Sequence, residues 1–395
     1  MNLFTLASRI VALGVVFLAG VAKADDDFPV YRGTIGNTAI GVELNNDPNQ
    51  PGSRSISGRY FYTKYRKDIP LSGSRDAQGN LVLSEGDDTM DDQQALAGKD
   101  SIPVIVLRSR DQKTWQGEWR NDKGKAYPVV LSLVTNLPAA ASPFMQQAYQ
   151  HSRYEYLRHE GAEPVMTKQE NVNGYGVEWW RDPLSGMMTF QLRSGYSAEQ
   201  LAGLNAALRK ELWQEVLNYN RCIIGANPGQ EEYTEEMQIS QLFPWAVSYT
   251  ISGSMFCGGM GASSGMRSAN LRVSDAKSMA LSDLLWVHES PVPDEVAESK
   301  DDRGDIFPAW LVEQLSSMYS AEMAKTIKGA WGDTQCDYRE PDRWQFSTWT
   351  LTAKGILFHP TFPESDSVCD DAAWAVVPWS VVKQHPGRLK DLPLP

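Results

Sequence analysis

Between residues 28 and 135 apolar and polar positions alternate with period two, the pattern of strands that bury one face. Residues 30–36 open the series, 39–44 follow an Asn37-Thr38 turn, and 57–65 form the clearest strand. Residues 69–73, 80–85, 104–107, 114–119 and 128–133 continue it, with turn-forming clusters at 76–80 and 121–125. Strands at this even spacing, with no helical stretch between them, predict an antiparallel β meander built as a small barrel or a sandwich.

The period changes after a Pro/Ala-rich segment at residues 136–142, which reads as a linker. A short helix is expected over 143–153, and a hairpin pairs 176–180 with 187–193 around Asp182-Pro183-Leu184-Ser185-Gly186. Ser197 and Gln200 form a capping box, and Leu201, Leu204, Leu208, Leu212 and Val216 recur at helical spacing behind it. Residues 225–236 read as a polar, acidic loop. A strand at 245–252, a Gly/Ser-rich turn at 257–265 and a strand at 268–274 read as a long hairpin, and 278–286 as a helix start docked on it. An acidic connector at 291–305 leads to an amphipathic helix over 307–325, and 344–358 reads as a strand. Helices set between strand runs predict an α+β domain, an antiparallel sheet with helices on one face. The expected division is therefore a signal peptide at 1–24, a β-rich domain at 25–135 and an α+β domain at 136–395.

Residues 1–24 predict export. Arg9 precedes an apolar run over 10–21, and Ala22-Lys23-Ala24 is a small-x-small cleavage site. The run is too short to span a bilayer, and no later stretch is a candidate, so no membrane span is expected in the mature chain. Removing Arg9 and Lys23 takes the formal charge from -12 to -14. That balance argues against a nucleic-acid partner, which wants a basic face. Four cysteines behind an export signal read as two disulfides, and four allow three pairings. Cys222–Cys257 would tie a helix end to the hairpin tip, and Cys336–Cys369 would staple the loops flanking the 344–358 strand. The loop-closure model gives each about 3–4 kcal/mol. No C-x-x-C and no spaced histidine pair supports a metal site, and no cofactor is implied.

Two stretches resemble known families. Phe256-Cys257-Gly258-Gly259, Leu281-Ser282-Asp283-Leu284, the run from Trp349 to Phe358 and Val376-Val377-Pro378-Trp379 resemble, in order and spacing, the extracellular domain of lysozyme-sensing anti-sigma factors and related secreted proteins. Met260-Gly261 stands where that family carries Ala-His. The resemblance covers roughly the C-terminal half. It implies binding at the hairpin, through Phe256, Gly258, Gly259 and Met260, of lysozyme or another cationic, peptidoglycan-associated partner. The anti-sigma role needs a membrane helix and a cytoplasmic domain and does not carry over. Gly58-Arg59-Tyr60-Phe61-Tyr62, Ile69-Pro70-Leu71-Ser72-Gly73, Leu81-Val82-Leu83-Ser84-Glu85 and Gly117-Glu118-Trp119 resemble a β-rich module of secreted bacterial proteins. Tyr60 and Tyr62 share a strand face that either stacks on a sugar ring or belongs to the core.

No catalytic constellation emerges. Gly261-Ala262-Ser263-Ser264-Gly265 fits G-x-S-x-G, but a Cys-Gly-Gly turn precedes it and a strand follows, whereas a nucleophile elbow runs from strand to helix. Ser274-Asp275-Ala276-Lys277 fits S-x-x-K without its partner motifs. The five histidines, His151, His159, His288, His359 and His385, are scattered. The clusters Glu231-Glu232, Glu235-Glu236 and Asp301-Asp302 read as solvated loops, and Arg303-Gly304-Asp305 as a loop tripeptide. The sequence thus predicts a periplasmic or secreted binding protein of the cell envelope rather than an enzyme. The alternatives are an envelope enzyme acting on glycans and a structural or assembly protein. A concave pocket holding a carboxylate of raised pKa would favour the enzyme.

Overall fold

The computed structural model describes residues 28–45, 55–86, 103–121, 123–225, 232–257, 263–292, 306–329 and 332–395. The expected signal peptide and its cleavage site, Gly258, Gly259 and Met260, Gly261 and Ala262, Glu231, the pair Asp301-Asp302 and the 303–305 tripeptide lie outside the described residues.

Eight strands close into a barrel: β1 (Val30–Ile35), β2 (Thr38–Asn45), β3 (Ser55–Tyr62), β4 (Asp68–Arg75), β5 (Leu81–Glu85), β6 (Val104–Arg108), β7 (Thr114–Arg120) and β8 (Ala126–Leu133). Each pairs antiparallel with the next, and β8 returns to β1 with Tyr31 opposite Leu133 and Ile35 opposite Val129. Every second residue points inward, so Ile40, Val42 and Leu44, Leu81 and Leu83, Ile105 and Leu107, and Val129 and Leu131 fill the interior around Trp115 and Tyr60. Closure needs tight coiling. At Gly33 and Gly117 a Cβ would stand 2.0 Å from the Val130 carbonyl oxygen and 1.7 Å from that of Val106, so only glycine admits the neighbouring strand. Of the two β architectures left open by the alternation, the chain adopts the barrel.

Beyond residue 142 the fold is mixed. Ser142 caps α1 (Pro143–His151), and Ser152 ends it and caps α2 (Arg153–His159). The single helix expected at 143–153 is thus two helices meeting at a serine. A three-stranded sheet comes next, from β9 (Val165–Val172), β10 (Tyr175–Arg181) and β11 (Met188–Ser194) in the order β11-β10-β9. The long α3 (Ala198–Gly225) starts at the expected capping box, Ser197 N donating to Gln200 Oε1 at 3.0 Å and Gln200 N to Ser197 Oγ at 3.3 Å. Its stripe of Leu204, Leu208, Leu212 and Val216 is fully buried.

A second three-stranded sheet comprises β12 (Glu232–Leu242), β13 (Ala246–Phe256) and β14 (Ser263–Arg272). Here two expectations are corrected. Residues 232–236 are strand, not loop, because Tyr233, Met237 and Ile239 supply a buried or half-buried face in alternation with polar residues. Residues 281–283 form one 3₁₀ turn rather than a helix start, Asp283 Oδ2 accepting from Ala280 N at 3.0 Å.

The remaining elements are α4 (Ile306–Met323), β15 (Thr326–Gly329), β16 (Gly332–Gln335), β17 (Thr348–Thr352), β18 (Gly355–His359), β19 (Val376–Pro378) and α5 (Trp379–Val382). The stretch read as one strand over 344–358 is a 3₁₀ turn at 341–344 and then a hairpin, turning at Ala353-Lys354 where Gly355 N donates to Thr352 Oγ1 at 3.1 Å.

Both expected disulfides are present, Cys222–Cys257 with Cα atoms 4.6 Å apart and Cys336–Cys369 with 5.7 Å. No helix among the described residues is long and apolar enough to cross a membrane.

Candidate functional site

The hairpin sheet offers one face to α3. Its register aligns Tyr233 with Met255 and Ser263, then Glu235 with Gly253 and Gly265, then Met237 with Ile251 and Arg267. The middle row carries one side chain and two glycines, which leaves a hollow beside Glu235. A Cβ on Gly253 would lie 2.2 Å from the Thr234 carbonyl oxygen, so strand packing itself requires a glycine there. Across the hollow runs the flank of α3. Glu211 and Glu215 are one turn apart and project from the edge of the leucine stripe toward the sheet. The result is a cleft of about 290 Å³ lined by Glu215, Asn218, Tyr233, Glu235, Ile251 and Arg267, with Met255 and Met266 at its apolar end.

Three carboxylates share one cation. Arg267 Nη1 lies 2.5 Å from Glu211 Oε1, and its Nη2 lies 2.5 Å from Glu215 Oε1 and 3.6 Å from Glu235 Oε1. Tyr233 OH donates to Glu215 Oε2 at 3.3 Å. Burial holds the Glu235 carboxyl up, the hydrogen bond and charge of Glu215 add to this, and its pKa rises to about 8 against the pull of Arg267. Burial likewise raises Tyr233, with Glu235 and Glu215 reinforcing it. Burial lowers Arg267, but Glu211 and Glu215 outweigh it and the guanidinium ends up a weaker acid than usual. The cleft thus gathers Glu211 and Glu215 around Arg267 and the raised Glu235 carboxyl. Among the described residues no group of His, Cys, Asp and Glu is arranged to hold a metal ion. Arg267 stands among the three carboxylates.

The expected site residues fall in different places. Phe256 ends β13 half-buried, opposite Glu232, and Cys257 bonds the hairpin to the last turns of α3. Met255, beside Phe256, lines the cleft, so the hairpin singled out in the sequence forms one end of it. Gly258, Gly259 and Met260 lie outside the described residues. Tyr60 and Tyr62 belong to the barrel. Tyr60 is 1% exposed, and its hydroxyl donates to Glu85 Oε1 at 2.5 Å, an oxygen that also accepts from Trp119 Nε1 at 2.6 Å. Tyr60 is thus core, and Tyr62, edge-on to it at 5.4 Å, keeps the only surface of the pair.

Sequence reasoning missed Glu211, Glu215, Glu235 and Arg267. The signal for the first two was present, as acids four apart flanking the stripe. Glu235 gave none once residues 225–236 were read as a loop.

No family model matches this sequence, and no curated protein does. Among solved structures, a member of the DUF3298 family from Bacteroides fragilis aligns with 57% of this chain and 92% of its own, at 11% identity and a TM-score of 0.28.

Proposed function

We propose that this is an envelope-side binding protein that captures a cationic group in the cleft between α3 and the β12–β14 sheet. The expected partner is lysozyme or another cationic, peptidoglycan-associated protein presenting a lysine or arginine side chain. The observation that carries this reading is the sharing of one guanidinium among Glu211, Glu215 and Glu235. A second cation can enter by displacing the proton on Glu235, and the net charge of -12 favours its approach. Met255 and Met266 offer the adaptable apolar contact that a protein partner uses beside the charge. The two disulfides suit an extracellular or periplasmic setting.

The glycan-enzyme alternative draws on the same protonated carboxyl but fits the geometry less well. Glu215 and Glu235 both reach Arg267 Nη2, at 2.5 and 3.6 Å, so a guanidinium stands beside both carboxyls where a glycosidase leaves room for substrate or water. Glycosidase carboxyl pairs stand about 5 Å or more apart, because substrate or water must fit between them.

Calorimetric titration with a cationic lysozyme, at low and at physiological salt, tests the binding reading. Saturable heat that weakens with salt is expected, with about tenfold lower affinity for the Glu211→Gln/Glu235→Gln double variant. Absence of heat, together with unimpeded cell-wall lysis at micromolar protein, would end the lysozyme assignment. Unchanged affinity in the double variant would remove the cleft from it.

A further inference from the structure

A second cavity, of about 240 Å³, lies where the barrel meets the helices, between β3, the α1–α2 junction and the far side of α3. Its walls carry Arg59, Ser152, Glu155, Gln214, Asn220 and Arg221. Glu155 is 2% exposed. Its Oε2 accepts from Arg158 Nε at 2.8 Å and from Asn220 Nδ2 at 2.7 Å, while its Oε1 is buried without a hydrogen-bond partner among the described residues. A buried carboxylate oxygen left without a donor is costly, so a donor belonging to a ligand or to water is called for there. Arg59 also lines the cavity, its Nε donating to Glu43 at 2.8 Å and its Nη1 to Asp68 at 3.1 Å. Arg221 is exposed at the rim.

Charges of both signs in the lining narrow the ligand. A simple anion meets Glu155, and a simple cation meets Arg59 and Arg221. At about 240 Å³ the cavity suits a small molecule rather than a polymer segment. We propose that this cavity binds a small free α-amino acid, its ammonium donating to Glu155 Oε1 and its carboxylate meeting Arg59 and Arg221. The site is separate from the acidic cleft and does not rest on the reading given to it.

Titration of the whole protein with L-alanine, D-alanine, N-acetylalanine and alaninamide tests the assignment. At least one alanine enantiomer should give saturable heat and raise the melting temperature. Acetylation and amidation should each weaken binding about tenfold or more, because each removes one of the two charges. Arg221→Ala, at an exposed position, should leave the melting temperature of the free protein unchanged and weaken the free amino acid about tenfold. Glu155→Gln should do the same to binding if it folds, and the Arg221 variant decides the matter if it does not. No binding of either enantiomer at millimolar concentration, or equal binding of N-acetylalanine, would overturn the proposal.

Discussion

Glu235 sits half-buried on a strand, and burial, with Glu215 nearby, raises its pKa to about 8. An unfolded chain releases the same proton near the ordinary value of 4.5. Between those limits the folded state binds more protons than the unfolded one, so stability falls as pH rises through the window. The contribution is complete below the unfolded value and is lost as pH passes the folded one. Glu235→Gln keeps the shape and removes the titration. Melting curves of the two proteins should therefore run together near about pH 5, with wild type dropping below the variant near about pH 9. Parallel curves across that range would mean that Glu235 titrates normally. His359 works in the opposite sense. It is buried, neither ring nitrogen is hydrogen-bonded among the described residues, and burial depresses its pKa. Its neutral form favours folding above the unfolded value near 6.5, and that support is lost as pH falls through the folded one. His359→Phe should reduce the loss of stability on acidification, as read by urea midpoints between about pH 7 and 5. At this scale the sequence was least legible. Glu235 and Glu236 are neighbours of one type, yet the alternation of β12 turns one into the cleft and the other to solvent.

Elements with a regular period were readable, and those defined by tertiary contact were not. All eight barrel strands follow from alternation, because each buries one face in the interior. The α3 stripe follows from its leucines. The hairpin from β13 to β14 was legible from its glycines, whereas β12 was hidden by a polar N-terminal half whose outward residues simply face water. The same sheet carries the cleft, so losing one strand lost the site. The disulfide holds this element in place, bonding Cys257 to Cys222 across 35 residues of chain. Replacing both cysteines by serine should cost about 4 kcal/mol in urea unfolding by the loop-closure model. It should also weaken capture of the cationic partner, since one end of the cleft loses its tie to α3. A stability loss with unchanged affinity would show that the cleft needs the sheet register alone.

Across the whole molecule, the barrel shares a core with the helices α1, α2 and α3. Val30, Phe61 and Val134 leave the barrel pattern and enter one core with Phe144, Tyr154, Leu212 and Trp213. Phe61 meets the Tyr154 ring edge-on at 5.1 Å. Arg158 of α2 crosses the seam, pairing with Asp68 of β4 and donating to the Arg66 carbonyl, while its Nε holds Glu155 at 2.8 Å. The Arg158 side chain is 4% exposed and that of Asp68 is 1% exposed, so neither charge can fall back on solvent. The division at residues 136–142 came from composition, and composition cannot report that Leu137 and Ala141 within that segment pack on the seam. Cutting the segment with a protease should therefore leave the two pieces associated on a sizing column. Arg158→Ala strands Asp68 with Arg59 as its remaining cation and leaves Glu155 dependent on Asn220. Breaking a buried pair this way costs about 3–5 kcal/mol. Part of that loss should return in an Arg158→Met/Asp68→Asn double variant, which removes the unpaired charge and puts an apolar side chain beside the Phe61 ring that the guanidinium covers. Urea unfolding followed separately by barrel and α3 tryptophans, Trp115 and Trp213, reads the outcome. Coincident transitions in wild type that separate in Arg158→Ala would mark the seam as the coupling between the two halves. Coincident transitions in both proteins, with a loss well under the expected range, would mean that the apolar contacts hold it alone.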